Sequence, residues 1–564
     1  MKNKNTYILP LSAILLALHF FIPAFGQKID KKAVERIKKD VYVLADDAMQ
    51  GREAGTPSEL QAALYISTRF MSNKLLPKGS QNYFKPFEFR AETNAGENNV
   101  LTLNTKTLKF KNDFYPLSYS SSGTAKGKLI KAGFGIIAPE LNYNDYKDIE
   151  QEIKGNIAVI EVSSPDGIHP HSKYLAYHDL AKRIETAKKM GAVAIIFINS
   201  DKKADDPEEK LSNKIISSEI PVIFARGMAY KIIMDATEVM AEINTDIIRE
   251  ERVGWNVIGY LDNKAKNTIV IGAHYDHLGW GDEHSAHRGE KAIHNGADDN
   301  ASGVATMIEI VHQLRKNKKT KNNNYLFIAF SGEEKGLFGS ASYVKDPTID
   351  LSTVNYMINL DMVGRLDPKE KKLGINAVGT SPIWKELINN VPTSMQLKLS
   401  EPGIGPSDHT SFYLQNIPVL HFFSGMHGDY HKPSDDAEKL NYEGAAEIAD
   451  FIVRLIEAAD SKGKLPFSKT KEEENARPSR MKVTLGIMPD YMHTEKGIRI
   501  EGITEGKAAE KAGLLKGDII LKIGNNHVND MGSYMKALSE FNKGDKTNIT
   551  ILRGNETIVK EVEF

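Results

Sequence analysis

Acidic and imidazole side chains recur just beyond the apolar runs in the second half of this 564-residue sequence. The runs and the groups that follow them are 267–273 with His274 and Asp276, 325–330 with Glu333 and Glu334, 356–360 with Asp361, and 418–423 with His431. Asp298 and Asp299 stand shortly before another apolar segment. Carboxylates and imidazoles bind divalent metal ions and transfer protons, so the pattern predicts a metal site with acid–base groups beside it.

The residue types narrow the choice of metal. The sequence contains no cysteine, so any ligand must be His, Asp or Glu, and a set of two His, two Asp and one Glu suits Zn²⁺ or a similar divalent ion. A single catalytic zinc uses three protein ligands and a water molecule. Two ions that share a bridging carboxylate would use all five groups, and two metals about 3.5–4 Å apart can together position a hydroxide and polarise a carbonyl.

Two further acids are left for other roles. In the pair Glu333 and Glu334, one carboxylate can bind metal while its neighbour stays free to shuttle a proton. Asp276 lies two residues after His274, on the same side of an extended segment, from which it can orient the imidazole through its second nitrogen. Four histidines of the next loop are expected to be loop residues rather than ligands: His277, His284, His287 and His294.

The apolar runs that position these groups are predicted strands. They alternate with predicted helices at 303–314 and 445–459, and this alternation favours an α/β domain with a mostly parallel central sheet. In such a sheet, sites assemble outside the carboxyl ends of the strands. Residues that are far apart in the sequence are therefore expected to converge at one edge.

The first 26 residues are predicted to be a secretory signal. A basic start at Lys2 and Lys4 precedes an apolar stretch that two prolines interrupt, and small residues at Ala24 and Gly26 suit cleavage. A transmembrane anchor would need about 20 uninterrupted apolar residues. The protein is therefore expected to be exported, to the periplasm or the extracellular space, without a transmembrane anchor after cleavage.

The remaining chain divides by composition into further units. Short apolar runs bounded by Gly, Pro and Asn mark buried strands within 113–250. This unit is predicted to be inserted into the α/β domain, which would comprise 27–112 and 251–464. Residues 465–480 are rich in Lys, Glu and Ser and are predicted to be a linker. Residues 481–564 form the last unit.

Five segments, in this order, resemble the motifs of the co-catalytic dizinc aminopeptidases and the related glutamate carboxypeptidases. They are His274-x-Asp276, Gly-Ala-Asp298-Asp299-Asn-Ala-Ser-Gly, Ser-Gly-Glu333-Glu334-x-Gly-Leu, Asn359-Leu-Asp361-Met and Tyr430-His431-x-Pro-x-Asp435. The resemblance covers about 31–110 and 251–464. It implies a three-layer zinc-exopeptidase domain that hydrolyses N-terminal residues from peptides with a free N-terminus.

Carried over to this sequence, the resemblance gives each matching residue a role. It implies two Zn²⁺ ions, with other divalent ions as substitutes, and Asp299 as the ligand that bridges them. The other ligands would be His274, Glu334, Asp361 and His431. Glu333 would be the general base that activates the attacking water, and Asp276 would support His274.

The inserted unit and the last unit resemble known modules as well. Gly133-Phe134-Gly135-Ile136 and Ile153-Lys154-Gly155-Asn156-Ile157 resemble a protease-associated domain, a β-rich α/β unit that commonly borders the active-site cleft in this family. Leu485-Gly486-Ile487, followed by Ala508-Ala509-x-x-Ala512-Gly513-Leu514-x-x-Gly517-Asp518, resembles a PDZ domain with its carboxylate-binding loop. A PDZ domain implies a peptide or a protein C-terminus as a ligand.

Charge excludes one class of partner, and several alternatives stay open. Lys and Arg total 73 against 74 Asp and Glu, which offers no field to attract nucleic acid. A carboxypeptidase that acts on acidic C-terminal residues would need a positively charged pocket, and Arg365 is the only arginine close in sequence to a predicted ligand. A glutaminyl cyclase relative would use one zinc ion, and an inactive peptide-binding relative would not need Glu333.

Overall fold

The structure is a computed structural model of the chain. It describes residues 29–470 and 483–564, except at positions 170, 214, 283, 491–492, 494, 504–505, 530 and 542–543. The predicted signal at 1–26 and most of the predicted linker at 465–480 lie outside the described residues. In the described part of the chain, no helix has the length and apolar character that a bilayer span requires.

The main domain begins with two helices and two strands, and both strands pair with a strand much later in the sequence. The first elements are α1 (Lys31–Leu44), a 3₁₀ segment (Asp47–Arg52), α2 (Pro57–Ser72), β1 (Leu76–Pro77) and β2 (Phe84–Ala95). Asp30 and Thr56 start the two helices, because their side chains accept hydrogen bonds from main-chain N–H groups of the first turn.

The inserted domain is built around its own eight-stranded sheet. Its elements are β3 (Val100–Leu103), β4 (Lys106–Thr107), β5 (Phe114–Pro116), β6 (Gly123–Lys131), β7 (Ile137–Ala138), β8 (Tyr143–Asn144), β9 (Ile157–Glu161), α3 (Leu180–Lys189), β10 (Ala194–Ile198), β11 (Val222–Ala225), α4 (Gly227–Asp235) and β12 (Met240–Thr245). The strand order is β4-β3-β12-β6-β9-β10-β11-β5. Because β3 pairs with β12, the domain begins near Val100, whereas the sequence placed its start at 113.

The main domain then resumes with the strands that carry the predicted site. The elements are β13 (Ile247–Leu261), β14 (Asn267–His274), α5 (Gly303–Lys316), β15 (Asn323–Phe330), α6 (Phe338–Lys345), β16 (Val354–Leu360), β17 (Lys372–Asn376), α7 (Trp384–Asn389), β18 (Gln396–Leu399), α8 (His409–Tyr413), β19 (Val419–Phe423) and α9 (Tyr442–Asp460). The sheet order is β1-β13-β15-β14-β16-β19-β17-β18, with β2 beside β13.

This nine-stranded sheet is mixed, with a parallel centre. Strands β15, β14, β16 and β19 run parallel, whereas β13 pairs antiparallel with β15, and β17 pairs antiparallel with β19. Alternate residues of a strand point to opposite faces: Ile269 and Ile271 join the core beneath α1, α5 and α9, while Val270 joins the core beneath α6 and α8. The predicted three-layer α/β fold is confirmed.

The C-terminal domain has a separate core. Its elements are β20 (Ile487–Pro489), β21 (Ile498–Ile503), α10 (Ala508–Lys511), β22 (Ile519–Ile523), β23 (Asn526–His527), α11 (Met531–Leu538), β24 (Lys546–Arg553) and β25 (Glu556–Glu563). The main domain reaches further than its predicted end at 464, because Leu465 is buried and the Thr470 hydroxyl lies 2.9 Å from the Tyr413 hydroxyl.

Candidate metal centre

The parallel strands bring the five predicted ligands to one edge of the sheet. His274 is the last residue of β14, and Asp361 follows the last residue of β16. Glu334 lies in the turn after β15, and His431 lies in the loop after β19. Asp299 lies in the kinked turn Ala297–Ser302, where its own backbone angles are not helical and which leads into α5. The carboxyl ends of parallel strands meet at the same edge, which is why this spacing in the sequence produces a cluster.

The ligand atoms form two groups that share Asp299. Nε2 of His274 lies 3.2 Å from Oδ1 of Asp361 and 3.4 Å from Oδ1 of Asp299. Nε2 of His431 lies 3.2 Å from Oδ2 of Asp299 and 3.2 Å from Oε2 of Glu334. Asp299 therefore presents one oxygen to each group, which is the arrangement of a bridging carboxylate.

These separations fit divalent cations. Ligands at about 2.0–2.1 Å from a tetrahedral zinc ion lie about 3.3 Å from one another, and the separations between each histidine and its two carboxylates match that spacing. The carboxylate of Glu333 also lies within 4.8 Å of the ligand atoms of His274 and Asp361. Five carboxylates lie close together when Glu333 and Asp276 are included, and such a concentration of negative charge calls for bound cations.

The charges of the cluster shift the pKa values of its members. Burial raises the pKa of Glu333 well above its usual range, and the carboxylates of Glu334 and Asp361 add to the shift while His274 opposes it. Burial would also raise the pKa of Glu334, but His431 and His277 hold it well below its usual range. Glu333 is thus the acid of the pair that holds a proton most readily.

His274 is oriented by the main chain of Asp276. Its Nδ1 lies 3.2 Å from the carbonyl oxygen of Asp276 and 3.9 Å from the nearest carboxylate oxygen of the same residue. The carboxylate of Asp276 instead accepts hydrogen bonds from the N–H groups of Glu333 at 3.1 Å and Glu334 at 3.3 Å. The predicted carboxylate–imidazole contact is therefore replaced by a carbonyl contact, because the carboxylate turns towards the end of the neighbouring strand β15.

The other predicted histidine ligand, His431, and Glu334 are held by the loop at 277–294. Nδ1 of His431 lies 2.9 Å from the carbonyl oxygen of His284, and the N–H of Ala286 donates to the carbonyl of His431 at 2.9 Å. The side chain of His277 lies 2.6 Å from Oε1 of Glu334 through its Nδ1. The sequence offered no signal for this support, since nothing in the spacing separates His277 from the other loop histidines.

Asn300 links the turn that contains Asp299, the predicted bridging ligand, to the end of β16, which Asp361 follows. Its side-chain amide donates to the carbonyl of Leu360 at 2.9 Å, and its side-chain oxygen accepts the N–H of Met362 at 3.1 Å. These contacts bracket Asp361 on both sides. They fix the distance between Asp299 and Asp361 without using either carboxylate.

Asp435 and His427 complete the support of the turn that contains Asp299. One carboxylate oxygen of Asp435 accepts the N–H groups of Asp298 at 2.9 Å and Asp299 at 3.1 Å. Nε2 of His427 lies 3.1 Å from Oδ2 of Asp298. His409, by contrast, is buried and stacks on His421 with ring centroids 4.6 Å apart, so it packs within the fold.

Tyr430 places a phenol beside the cluster. Its ring stacks on the imidazole of His431, with the centroids 3.8 Å apart. Burial raises its pKa well above the usual range, and the carboxylates of Asp299 and Glu334 add to the shift. The hydroxyl therefore stays protonated at neutral pH and can act as a hydrogen-bond donor.

Two parts of the chain match known families. Residues 256–456 match peptidase family M28, and residues 479–563 match the PDZ domain. The predicted peptidase and PDZ resemblances are thereby confirmed.

Several known proteins are similar over long stretches. Aminopeptidase YwaD of Bacillus subtilis (strain 168) is 26% identical over 488 residues, which span 83% of this chain and 94% of that protein. A probable leucine aminopeptidase of Arthroderma benhamiae is 26% identical over 219 residues, which span 37% of this chain and 58% of that protein. Among solved structures, the aminopeptidase from Aneurinibacillus sp. strain AM-1 aligns with a TM-score of 0.45 and 23% identity over 77% of this chain and 95% of that chain.

Proposed function

We propose that this chain, which matches peptidase family M28 over residues 256–456 and the PDZ domain over residues 479–563, is an exported zinc aminopeptidase that removes N-terminal residues from peptides. The observation that carries the proposal is the shared carboxylate of Asp299, with one oxygen towards His274 and Asp361 and the other towards Glu334 and His431. His, Asp and Glu ligands in this number suit two Zn²⁺ ions.

The chain's own residues divide the remaining work. The two cations would supply polarisation of the scissile carbonyl and a nucleophilic water at neutral pH. Glu333 takes the proton of the attacking water and returns it to the leaving amine. Positive charge beside Glu333 favours its carboxylate form, which counters the upward shift of its pKa. The carboxylate of Asp276 holds the main chain of Glu333 in place for this transfer.

Tyr430 is proposed to assist at the substrate carbonyl. Its protonated hydroxyl is a hydrogen-bond donor next to the ligand cluster. A donor that is fixed before the reaction stabilises the negative charge that develops on the carbonyl oxygen. The stacking on His431 supplies that fixed position.

The contacts of Arg365 favour an aminopeptidase over a carboxypeptidase. Its guanidinium forms an ion pair with Asp429 and donates to the carbonyl of Lys439 at 2.9 Å. A second carboxylate, that of Asp435, lies 4.0 Å away. The positive charge that a C-terminal carboxylate would need is therefore already neutralised within the protein.

The flanking parts of the chain complete the proposal. Export rests on the basic and apolar N-terminal segment and on the small residues at Ala24 and Gly26. The inserted domain is proposed to be a protease-associated domain that borders the cleft. The loop of this domain that contains Ile215 contacts the paired strands β2 and β13, because Arg90 of β2 donates to the carbonyl of Ile215 at 3.0 Å. The PDZ domain is proposed to bind a peptide or a protein C-terminus.

The test is a substrate panel on purified protein loaded with zinc. It contains aminoacyl chromogenic substrates, the same substrates with an acetylated amine, and a peptide that ends in glutamate. The proposal predicts turnover of the free-amine substrates alone. Turnover of the glutamate peptide from its C-terminus would instead support a carboxypeptidase.

The variant Glu333→Gln tests the proposed base. We expect kcat to fall about 10²- to 10⁴-fold, the usual contribution of a general base, while metal content stays at two ions per chain. Glu386→Gln is the matched control, since Glu386 is 63% exposed on α7, and it should leave kcat unchanged. Normal kcat in Glu333→Gln would contradict the assigned role.

A further inference from the structure

Arg52 is a completely buried arginine that serves main-chain carbonyls. Its side chain is inaccessible to solvent, and it forms no ion pair among the residues that the structure describes. Nε donates to Tyr275 at 2.7 Å, Nη1 donates to Asn295 at 2.7 Å and also to Leu44, and Nη2 donates to Gly296 at 2.9 Å. A buried charge is tolerated only when its donors are satisfied in this way.

Three of these four carbonyls belong to segments that carry metal ligands. Tyr275 directly follows His274, and Asn295 and Gly296 stand a few residues before Asp299. One guanidinium therefore ties the end of β14 to the turn that holds the bridging carboxylate. The fourth carbonyl belongs to Leu44, the last residue of α1. The guanidinium therefore also anchors these segments to a helix of the core.

The main chain around Arg52 reaches the other half of the centre. The carbonyl of Arg52 accepts the N–H of His277 at 3.2 Å, and the side chain of His277 holds Glu334. The preceding Gly51 has φ +68°, and a Cβ there would lie 2.5 Å from the carbonyl oxygens of Gly279 and His294. The segment thus fits closely against the loop at 277–294.

Arginine is suited to this position for a physical reason. Its planar guanidinium carries five N–H donors in a fixed fork, whereas lysine offers a compact charge on a flexible stem. Burial lowers the pKa of Arg52 to about 10, and the nearby carboxylates, Asp276 and Asp299 foremost, oppose the shift. The group therefore remains charged at neutral pH, beside a site rich in negative charge.

We propose that Arg52 is a positioning residue of the metal centre, which fixes the main chain beside His274 and before Asp299 and thereby sets the affinity for the cations. This inference rests on the proposed function only in taking the five ligands to hold cations. It does not depend on which substrate is cleaved.

Arg183 of the inserted domain provides a matched control. It is also buried, and it donates to four main-chain carbonyls, all within the inserted domain: Tyr177 at 2.7 Å, Glu161 at 3.0 Å, Val162 at 3.1 Å and Ser163 at 2.7 Å. Burial lowers its pKa to about 10 as well. Both arginines are thus buried and donate to four main-chain carbonyls, although Nη2 of Arg183 has no hydrogen-bond partner among the described residues. They differ in whether those carbonyls belong to segments that carry the predicted metal ligands.

The experiment compares Arg52→Lys with Arg183→Lys. The apo-proteins are first checked for folding by circular dichroism and thermal unfolding, and zinc affinity is then measured by competition with a chromogenic chelator. We expect zinc affinity to fall about 10- to 100-fold in Arg52→Lys, as for other groups that orient metal ligands. Arg183→Lys should bind zinc like the wild type, although both variants lower the unfolding temperature.

Each other outcome has a definite meaning. Wild-type zinc affinity in Arg52→Lys, or an equal loss in both variants, would overturn the proposal. Failure of Arg52→Lys to fold where Arg183→Lys folds would assign Arg52 to folding and would overturn it too. A wild-type protein that binds two zinc ions but cleaves no substrate would defeat the proposed function alone, because the affinity comparison still decides the role of Arg52.

Discussion

The two halves of the candidate metal centre are held by different kinds of structure. In the strand-held half, His274 ends β14 and Asp361 follows β16, and the N–H of Asp361 still donates to the carbonyl of Phe422 at 3.2 Å. In the loop-held half, Glu334 and His431 stand in turns beyond the sheet. The first half therefore inherits the rigidity of the central strands, whereas the second depends on contacts between loops.

The ion pairs of Lys335 stabilise the loop-held half. The ammonium group of Lys335, next to Glu334, lies 2.9 Å from Asp282 and 3.1 Å from Glu53, and its side chain is 9% exposed. These ion pairs hold the loop that contains His284, whose carbonyl oxygen lies 2.9 Å from Nδ1 of the predicted ligand His431. Loop contacts open locally at lower free energy than core strands do. We therefore expect the cation of the loop-held half to dissociate first.

The variant Lys335→Met would sharpen this difference. Without the ion pairs of Lys335, the loop-held half should lose about 10-fold in zinc affinity, because the loop that contacts His431 becomes mobile. Stepwise removal of zinc with increasing chelator is the measurement: the first step should shift to lower chelator concentration while the second stays in place.

A matched lysine controls for the loss of a buried cation. Lys85 on β2 is 8% exposed and pairs with Asp346, which is neither a predicted ligand nor part of the loop at 277–294. Lys85→Met should leave both steps of zinc release unchanged. If Lys335→Met shifted both steps equally, the division into a strand-held and a loop-held half would be wrong.

A smaller effect, on the pH dependence of stability, is expected from Glu59, which lies beneath the strand-held half. Glu59 is buried against the hydroxyl of Tyr275, next to His274, and burial raises its pKa to about 7 despite that hydrogen bond. The folded protein then binds more protons than the unfolded chain between about pH 4.5 and pH 7, so this group's contribution to stability is lost as the pH rises through 7.

The variant Glu59→Gln should flatten that dependence. Urea unfolding of the apo-protein between pH 5 and pH 8 would show a smaller loss of stability with rising pH than in the wild type, by at most about 1.4 kcal/mol per pH unit. Parallel curves for the two proteins would mean that Glu59 titrates normally in the folded state.

The clustering of the predicted ligands could be expected from the sequence because it follows from a general rule. Parallel strands end at one edge of a sheet, so the residue types after each strand were enough to bring His274, Asp361 and Glu334 together. The supports were not predictable in this way. Apart from the bond of Arg52 to Leu44, Arg52 and Lys335 contact residues more than 50 positions away, and a buried arginine that bonds carbonyls leaves no periodic pattern in a sequence.

The boundary of the inserted domain could not be read from the sequence for a similar reason. The short strand β3 has apolar residues at Leu101 and Leu103 that suit either neighbouring domain. Only its pairing with β12, more than 130 residues later, assigns it to the inserted sheet. Long-range pairing of this kind is decided by tertiary packing rather than by local propensity.

Metal stoichiometry tests the central claim most directly. The wild-type protein and Asp299→Ala would be saturated with zinc, freed of excess by gel filtration and analysed for zinc per chain. The bridging arrangement predicts two ions in the wild type and fewer than one in Asp299→Ala, because both halves lose an oxygen ligand at once. A wild-type protein with one ion, or an Asp299→Ala protein that keeps both, would contradict a centre built on a shared carboxylate.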